Sequence, residues 1–397
     1  MTDALGQSQV IPYLKALSEK GFSFHIISCE KKKNFISQKE NVSRDLKDYN
    51  ITWHPLFYSK TPPIISTIYD VLKIKCHARA LHKKEKFQIV HCRSYISSLI
   101  GLWMKNKFNI KFIFDMRGFW VNERVEGDLW NLKNPVYKII YDYFKRKEKK
   151  FLTNADYIIS LTQSGKKEIN SWNLVSSVLP IEVIPCCVDT VFFSPENINK
   201  EIKNKYKNFL KFSENDFILS YLGAIGTWYM LDEMLLFFRT LLKLKPNAKF
   251  LFITQENSSV ILQKASRLNI PLEKIIIQKA LRKEVPVLLS LSNLSIFFIK
   301  PLFSKQASSP TKMGEIMAMG IPIICNSRIG DVDQIIHKSR AGILVDELDE
   351  NNFVNAIQQL NELNLPEKIR IREEAINYFS LENGINLYRK VYLQLLS

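Results

Sequence analysis

With 397 residues, 46% of them hydrophobic and 12% aromatic, the chain can bury a large core and is too long for one compact domain, so two domains are expected and disorder is excluded. Its formal net charge of +17 is unevenly spread: residues 1–150 hold 28 Lys+Arg against 14 Asp+Glu, and residues 151–397 hold 28 against 25. Lys, Asn and Ile are all abundant, a bias that raises charge without function, and no nucleic-acid motif accompanies it, so no nucleic-acid partner is expected.

In chain order, short β-branched or aromatic runs alternate with helical patterns: FSFHIISC, ITWHPLFY, a helix near Ile64 to Lys84, QIVHC, a helix near Ile96 to Lys107, IKFIFDM, ADYIISLT and SVLPIEVIP. Such alternation predicts parallel βαβ units in a doubly wound sheet. After a polar, lysine-rich stretch at residues 197–215 the rhythm restarts with FILSYLG, a helix from Trp228 to Leu244, AKFLFIT, KIIIQ, LSIFFIK, IPIIC and AGILV. Two similar α/β domains in tandem follow, joined near Pro185 to Pro195. Leu387, Tyr388, Val391, Tyr392 and Leu395 then lie at helical spacing in a docked terminal helix. The six cysteines are scattered without a Cys-x-x-Cys pair, as expected of reduced thiols in a cytosolic core. Met1 to Val10 lacks the basic-then-apolar pattern of a leader, and the longest apolar run, residues 287–299, is broken by serines and Asn293, so no signal peptide or spanning helix is expected.

The sharpest chemical signal is KPLFSKQASSPTKMGEIMAMGIPIIC at residues 300–325. It follows an apolar strand and opens a helix, with Ser309 suited to the N-cap, Pro310 to the first helical position and Gly320 to the stop. A helix start at a strand end offers free N–H groups and a positive dipole end to a phosphate, with Lys300, Lys305 and Lys312 around it. Lys312 and Glu315 share a helix face, so a cation for phosphate and an acceptor for ribose hydroxyls could serve one nucleotide. An ordinary capped helix with solvated lysines is the plain alternative. The turn Gly223-Ala-Ile-Gly226 after FILSYL would let backbone approach a diphosphate, or is simply a tight strand-to-helix turn. In the first half, His91 and Arg93 after QIV, and Asp115 and Arg117 after FIF, stand where open parallel sheets bind ligands, though a buried Asp–Arg pair and a satisfied histidine would look the same. No Asp-x-Asp cluster, phosphate loop or zinc spacing is present, so no metal is expected.

DALGQSQVIPYLKAL (residues 3–17), VHCRSY (90–95), FDMRGFWVNERVEGDLW (114–130), IPCCVDTVFF (184–193), YLGAIGTWYMLDEM (221–234) and SPTKMGEIMAMG (309–320) together resemble the family 4, group 1 glycosyltransferases over nearly the whole chain. The resemblance implies the GT-B fold: two Rossmann-like doubly wound parallel-sheet domains with the site in a cleft between them. The expected division is 1–185 on the acceptor side, 186–378 for the nucleotide sugar, and 379–397 as a helix returning to the first domain. It also implies transfer from a nucleotide diphosphate sugar, with retention and without metal or cofactor, to a glycan or lipid-linked acceptor in surface polysaccharide or lipopolysaccharide synthesis. The place of work would be the cytoplasmic face of the membrane. A nucleotide-sugar epimerase of the same fold, or an inactive remnant, are the alternatives. By likeness, Gly6 and Gln7 belong to the loop after the first strand, bordering donor phosphate and acceptor. Lys312, Ser309 and Thr311 hold the diphosphate, Glu315 the ribose, and Gly223 with Gly226 line the donor pocket.

Departures from the family pattern temper this. Ala307 stands where many members carry a glutamate, the turn GAIGTWYM lacks the usual Arg and Lys, and Arg117 replaces a histidine, leaving Arg117, Asp115 and His91 as the candidates for the chemistry. In relatives a hydrophobic strand precedes the LGQSQ loop, whereas here Met1 stands two residues before Asp3. A further strand is therefore expected before Met1 in the working protein. Without that strand the first sheet should show a gap beside FSFHIISC and QIVHC, or those strands should collapse together. The surplus of positive charge in the first half, dense at His77, Arg79, Lys83, Lys84 and Lys86 and again from Lys145 to Lys150, suits an anionic membrane surface.

Overall fold

The computed structural model describes residues 1–176, 178–362 and 368–397. Its described residues form two compact units, Met1–Cys187 with Leu381–Ser397, and Val188–Ser380.

In the first unit the apolar runs become β1 (Phe24–Glu30), β2 (Ile51–Phe57), β3 (Ile89–Arg93), β4 (Lys111–Asp115), β5 (Tyr157–Ser160) and β6 (Ile181–Val183), paired in parallel throughout. Phe112, Ile113 and Phe114 of β4 are fully buried, as expected of a parallel strand covered on both faces. The strands do not form one sheet. β1 pairs with β2, while β3, β4, β5 and β6 form a second sheet in that order. Among the described residues no ladder joins β1 to β3, so the gap expected beside these two strands is present. Ile27 of β1 and Val90 of β3 pack into one apolar cluster with Ala78 and Ile100.

One local expectation in this unit needs correction. Gly6 and Gln7 lie not in a loop but in a helix, Ala4–Gln9, because the Asp3 carboxylate caps it by accepting from the Gly6 N–H at 2.7 Å. The helix that follows runs Ile11–Glu19. The terminal helix Leu381–Leu396 does return to the first unit, setting Ile385, Tyr388, Val391 and Tyr392 against Tyr13, Leu17, Ile113 and Ile159. Gly384 permits that approach: a Cβ there would stand 2.7 Å from the Cys187 sulfur and 2.9 Å from the Tyr13 ring.

The second unit holds β7 (Phe217–Leu222), β8 (Ala248–Ile253), β9 (Ile275–Gln278), β10 (Leu294–Phe297), β11 (Ile323–Asn326) and β12 (Gly342–Val345). All are parallel, in the order β9-β8-β7-β10-β11-β12. The first strand is therefore central and the winding reverses between β7 and β10, which fixes the place where such sheets bind ligands. The helix expected from Trp228 begins at Leu231. Its first residues are diverted to the chain leaving β10: Lys300 N–H donates to the Trp228 carbonyl at 2.9 Å and Met230 N–H to the Phe298 carbonyl at 3.0 Å. No described helix is long and apolar enough to cross a membrane.

Candidate functional site

At the winding reversal of the second unit, Gly223 follows β7 with φ of +107°, a conformation that favours glycine. A Cβ at this position would lie 3.4 Å from Lys312 Nζ, so the bare backbone also leaves room for that ammonium. Lys312 sits in the first turn of the helix Thr311–Ala318. Its Nζ donates to Tyr221 Oη at 2.9 Å and lies 3.6 Å from the Tyr229 ring centroid and 4.1 Å from that of Tyr221. Burial pushes the lysine well below its ordinary pKa, with Glu315 pulling the other way. No carboxylate among the described residues lies within ion-pair distance of it. A buried cation held by π faces and one hydroxyl is incompletely compensated, and an anion arriving there would be strongly bound.

Glu315, one turn on, is buried and bonded to Arg282 at 2.5 Å. Burial raises its carboxyl pKa while Arg282 and Lys312 act against that shift. Arg282 in turn lies 4.9 Å over the Phe193 ring. Lys305 is buried with Nζ 3.7 Å over the Trp228 ring. Lys300 is exposed and, with Gly226, Thr227, Tyr229, Glu256 and Asn257, lines a cavity of about 500 Å³. Asn326 fixes its approach, its carboxamide exchanging 2.8 Å bonds with both backbone groups of Ile299. The predicted residues thus fall into two adjoining groups, Gly223 with Lys312 and Glu315, and Gly226 with Lys300. Tyr229 belongs to both. The expected Ser309 cap is corrected: Pro310, in extended conformation, occupies the N-cap without a side-chain bond, so the helix starts at Thr311. Gly320 does end this segment, with φ of +66°.

In the first unit Asp115 closes β4, fully buried, amid two guanidiniums and an imidazole: Arg93 Nε at 3.7 Å, Arg117 Nη1 at 3.9 Å and His91 Nε2 at 3.5 Å. Burial would raise its carboxyl, but Arg117, His91 and Arg93 outweigh that and hold it at about 2. Tyr388 donates to the same carboxylate at 3.1 Å, and Tyr392 Oη meets His91 Nδ1 at 2.7 Å. Arg93 donates to the Gln9 carbonyl, Gln9 Nε2 to the Cys187 carbonyl at 2.9 Å, and Arg117 Nη2 contacts the Cys186 sulfur at 3.3 Å. Arg117 has φ of +56°, a strained value for a non-glycine residue, which its buried partners enforce. The residue of the LGQSQ segment that joins this cluster is Gln9; Gly6 is buried against Met1 and Gln7 is exposed. Sequence reasoning missed Gln9, Tyr221, Tyr229, Trp228 and Arg282. For Tyr221, Trp228 and Tyr229 the signal was an excess of aromatic residues around the end of β7; Gln9 and Arg282 carried none.

The glycosyltransferase family 4 model matches residues 8–192 and the glycosyl transferases group 1 model residues 202–378. The chain belongs to these glycosyltransferases. A glycosyltransferase from Rickettsia africae is 19% identical with a TM-score of 0.69, covering 98% of this chain and 94% of its own. Sucrose-phosphate synthase from Thermosynechococcus elongatus is 15% identical, TM-score 0.70, over 94% and 99%. Anabaena HepE, solved with UDP and glucose, is 12% identical, TM-score 0.68, over 97% and 95%. No curated protein sequence matches significantly. Both units of this glycosyltransferase therefore have the parallel α/β build of the GT-B fold.

Proposed function

We propose that this glycosyltransferase moves a sugar from a nucleotide diphosphate donor to a glycan or lipid-linked acceptor in surface polysaccharide synthesis, lipopolysaccharide included, with retention and without metal or cofactor. The observation that carries the reading is Lys312, a buried ammonium between Tyr221 and Tyr229 with no carboxylate partner among the described residues, beside a glycine turn at the winding reversal. As the anomeric C–O bond breaks, its electron pair passes to the leaving diphosphate, and fixed cations there stabilise the developing charge more than the ground state. Lys312 takes that role, assisted by Lys300, Lys305 and the first-turn N–H groups that follow Ser309 and Thr311. Glu315, steadied by Arg282, accepts from the ribose, and Gly223 and Gly226 keep the pocket open.

Arg117 is the first unit's anion-holding group. Asp115 and His91 act through it and through Arg93, since the Asp115 carboxylate is wholly enclosed. The acceptor is met by the first unit, Gly6 and Gln7 included, with the protein peripheral at the cytoplasmic face of an anionic membrane. A donor panel of nucleotide sugars, read by mass spectrometry of the product and by calorimetric titration of the nucleotide diphosphates, tests the assignment. Conversion of a donor in the absence of any acceptor would replace it with epimerisation. A folded protein that binds no nucleotide diphosphate would end it.

A further inference from the structure

The helix Ile65–Glu85 is inverted at its start. Its inward residues there are Ser66 and Asp70, both 5% exposed, while Ile65, Ile68, Tyr69 and Leu72 are 65%, 56%, 59% and 52% exposed. These four fall at i, i+3, i+4 and i+7 and so form one stripe; a helix of a soluble domain ordinarily turns such a stripe inward. The inversion is built in. Asp70 accepts from the Ser59 N–H at 2.8 Å, the Ser59 hydroxyl at 2.9 Å and Lys73 Nζ at 2.8 Å, which fixes the helix's rotation and ties it to the end of β2. There Phe57 and Tyr58 are exposed as well, and Lys73 Nζ donates to the Phe57 carbonyl at 2.6 Å. The apolar patch is therefore continuous with the β2 end. Ile64 begins it with φ of +70°, a strained value for a β-branched residue.

Further along, the same stripe changes character. Continuing the spacing leads to Cys76, then Arg79, Ala80 and Lys83, all exposed, with Lys84 and Lys86 at the helix end. Acidic groups do little to offset them: Asp70 is engaged inside, and Glu85 pairs with Lys84. One helix face thus offers an apolar half followed by a basic half. A bilayer with anionic headgroups presents the matching pair, an acyl boundary beneath phosphates. A second copy of the chain is a poorer match, because this face carries no free acidic group to meet the basic half of its copy.

We propose that this face is the membrane-docking surface: Ile65, Ile68, Tyr69 and Leu72 enter the acyl boundary while Arg79 and Lys83 lie on lipid phosphates. The inference deepens the membrane partner proposed above and rests on that reading. The test compares the whole protein with Ile68→Ser/Leu72→Ser and with Arg79→Gln/Lys83→Gln by sedimentation with phosphatidylglycerol and with phosphatidylcholine vesicles. These exposed positions lie outside the donor site, so melting temperature and nucleotide diphosphate titration serve as checks on folding. Wild type is expected on phosphatidylglycerol vesicles only, with partitioning reduced about tenfold or more in the serine variant and made weaker and less salt-sensitive in the glutamine variant. A Leu72→Trp variant should show blue-shifted emission, quenched by lipids labelled in the upper acyl chain. If wild type binds and the serine variant binds equally, the helix face is wrong and the membrane reading stands. If wild type ignores all vesicles, both fall. A dimer in lipid-free sedimentation that the serine variant dissolves would make the face a self-association surface and overturn the proposal.

Discussion

Two buried charge clusters differ in how far the protein itself offsets the cost of burying the charge. In the first unit, Asp115 is enclosed by His91, Arg93, Arg117 and Tyr388, so opposite charges meet inside the protein. In the second, Lys312 is also buried but among the described residues meets only ring faces, the Tyr221 hydroxyl and a more distant Glu315. Desolvating a charge costs free energy wherever it happens, and only the first cluster offsets that cost internally. The second leaves the remainder to an incoming anion. Burial alone does not mark a site; burial without a partner does.

The largest effect should follow from breaking the compensated cluster. Asp115→Asn removes the negative charge while leaving two guanidiniums enclosed, and is expected to lower unfolding free energy by about 3 to 5 kcal/mol, measured by urea denaturation. Lys312→Met should behave oppositely: stability unchanged or higher, because an uncompensated charge is gone, but nucleotide diphosphate affinity lower by roughly 30- to 100-fold, the scale of one lost charge-assisted contact. Calorimetric titration and thermal melting of both variants check the pair. If Lys312→Met loses stability and keeps affinity, the contrast between the clusters collapses.

Acid offers a milder probe of the same difference. The Asp115 carboxyl is held at about 2, below its unfolded value of about 3.9, so the folded state favours its ionised form. The resulting stabilisation is fully present above pH ~4 and is lost as pH falls through about 2, amounting to about 2 to 3 kcal/mol. Urea denaturation repeated between pH 5 and 2.5 should show a descending limb that Asp115→Asn largely flattens.

The strands were legible as short β-branched or aromatic runs, unbroken where both faces are covered as in β4, and Lys312 and Glu315 were legible as neighbours because i and i+3 share a helix face. What surrounds them was not. Tyr221 lies 91 positions before Lys312 and Arg282 lies 33 before Glu315, distances over which local periodicity says nothing. The Ser309 cap and the helix start at Trp228 failed for a related reason: each local preference was overridden by bonds to a distant segment or by the extended Pro310 backbone. The inverted helix at Ile65 shows the limit most clearly, since its apolar spacing reads as core and only the Asp70 bonds to Ser59 turn that stripe outward.

The smallest effect tests whether the terminal helix takes part in the compensated cluster or merely covers it. Tyr388 spends its hydroxyl on Asp115, whereas its ring packs against Tyr13, with centroids 5.4 Å apart and planes at 86°. Tyr388→Phe keeps the ring and deletes one neutral donor to a carboxylate that retains its cations, so the expected loss is about 1.5 kcal/mol, the lower end for a hydrogen bond to a charged group. The acid limb described above should survive, because the charges that depress the Asp115 carboxyl remain. If instead the variant loses as much stability as Asp115→Asn, the hydroxyl rather than the guanidiniums would be compensating the carboxylate. The comparison between a paired anion and an unpaired cation would then have to be redrawn around a polar rather than an ionic core.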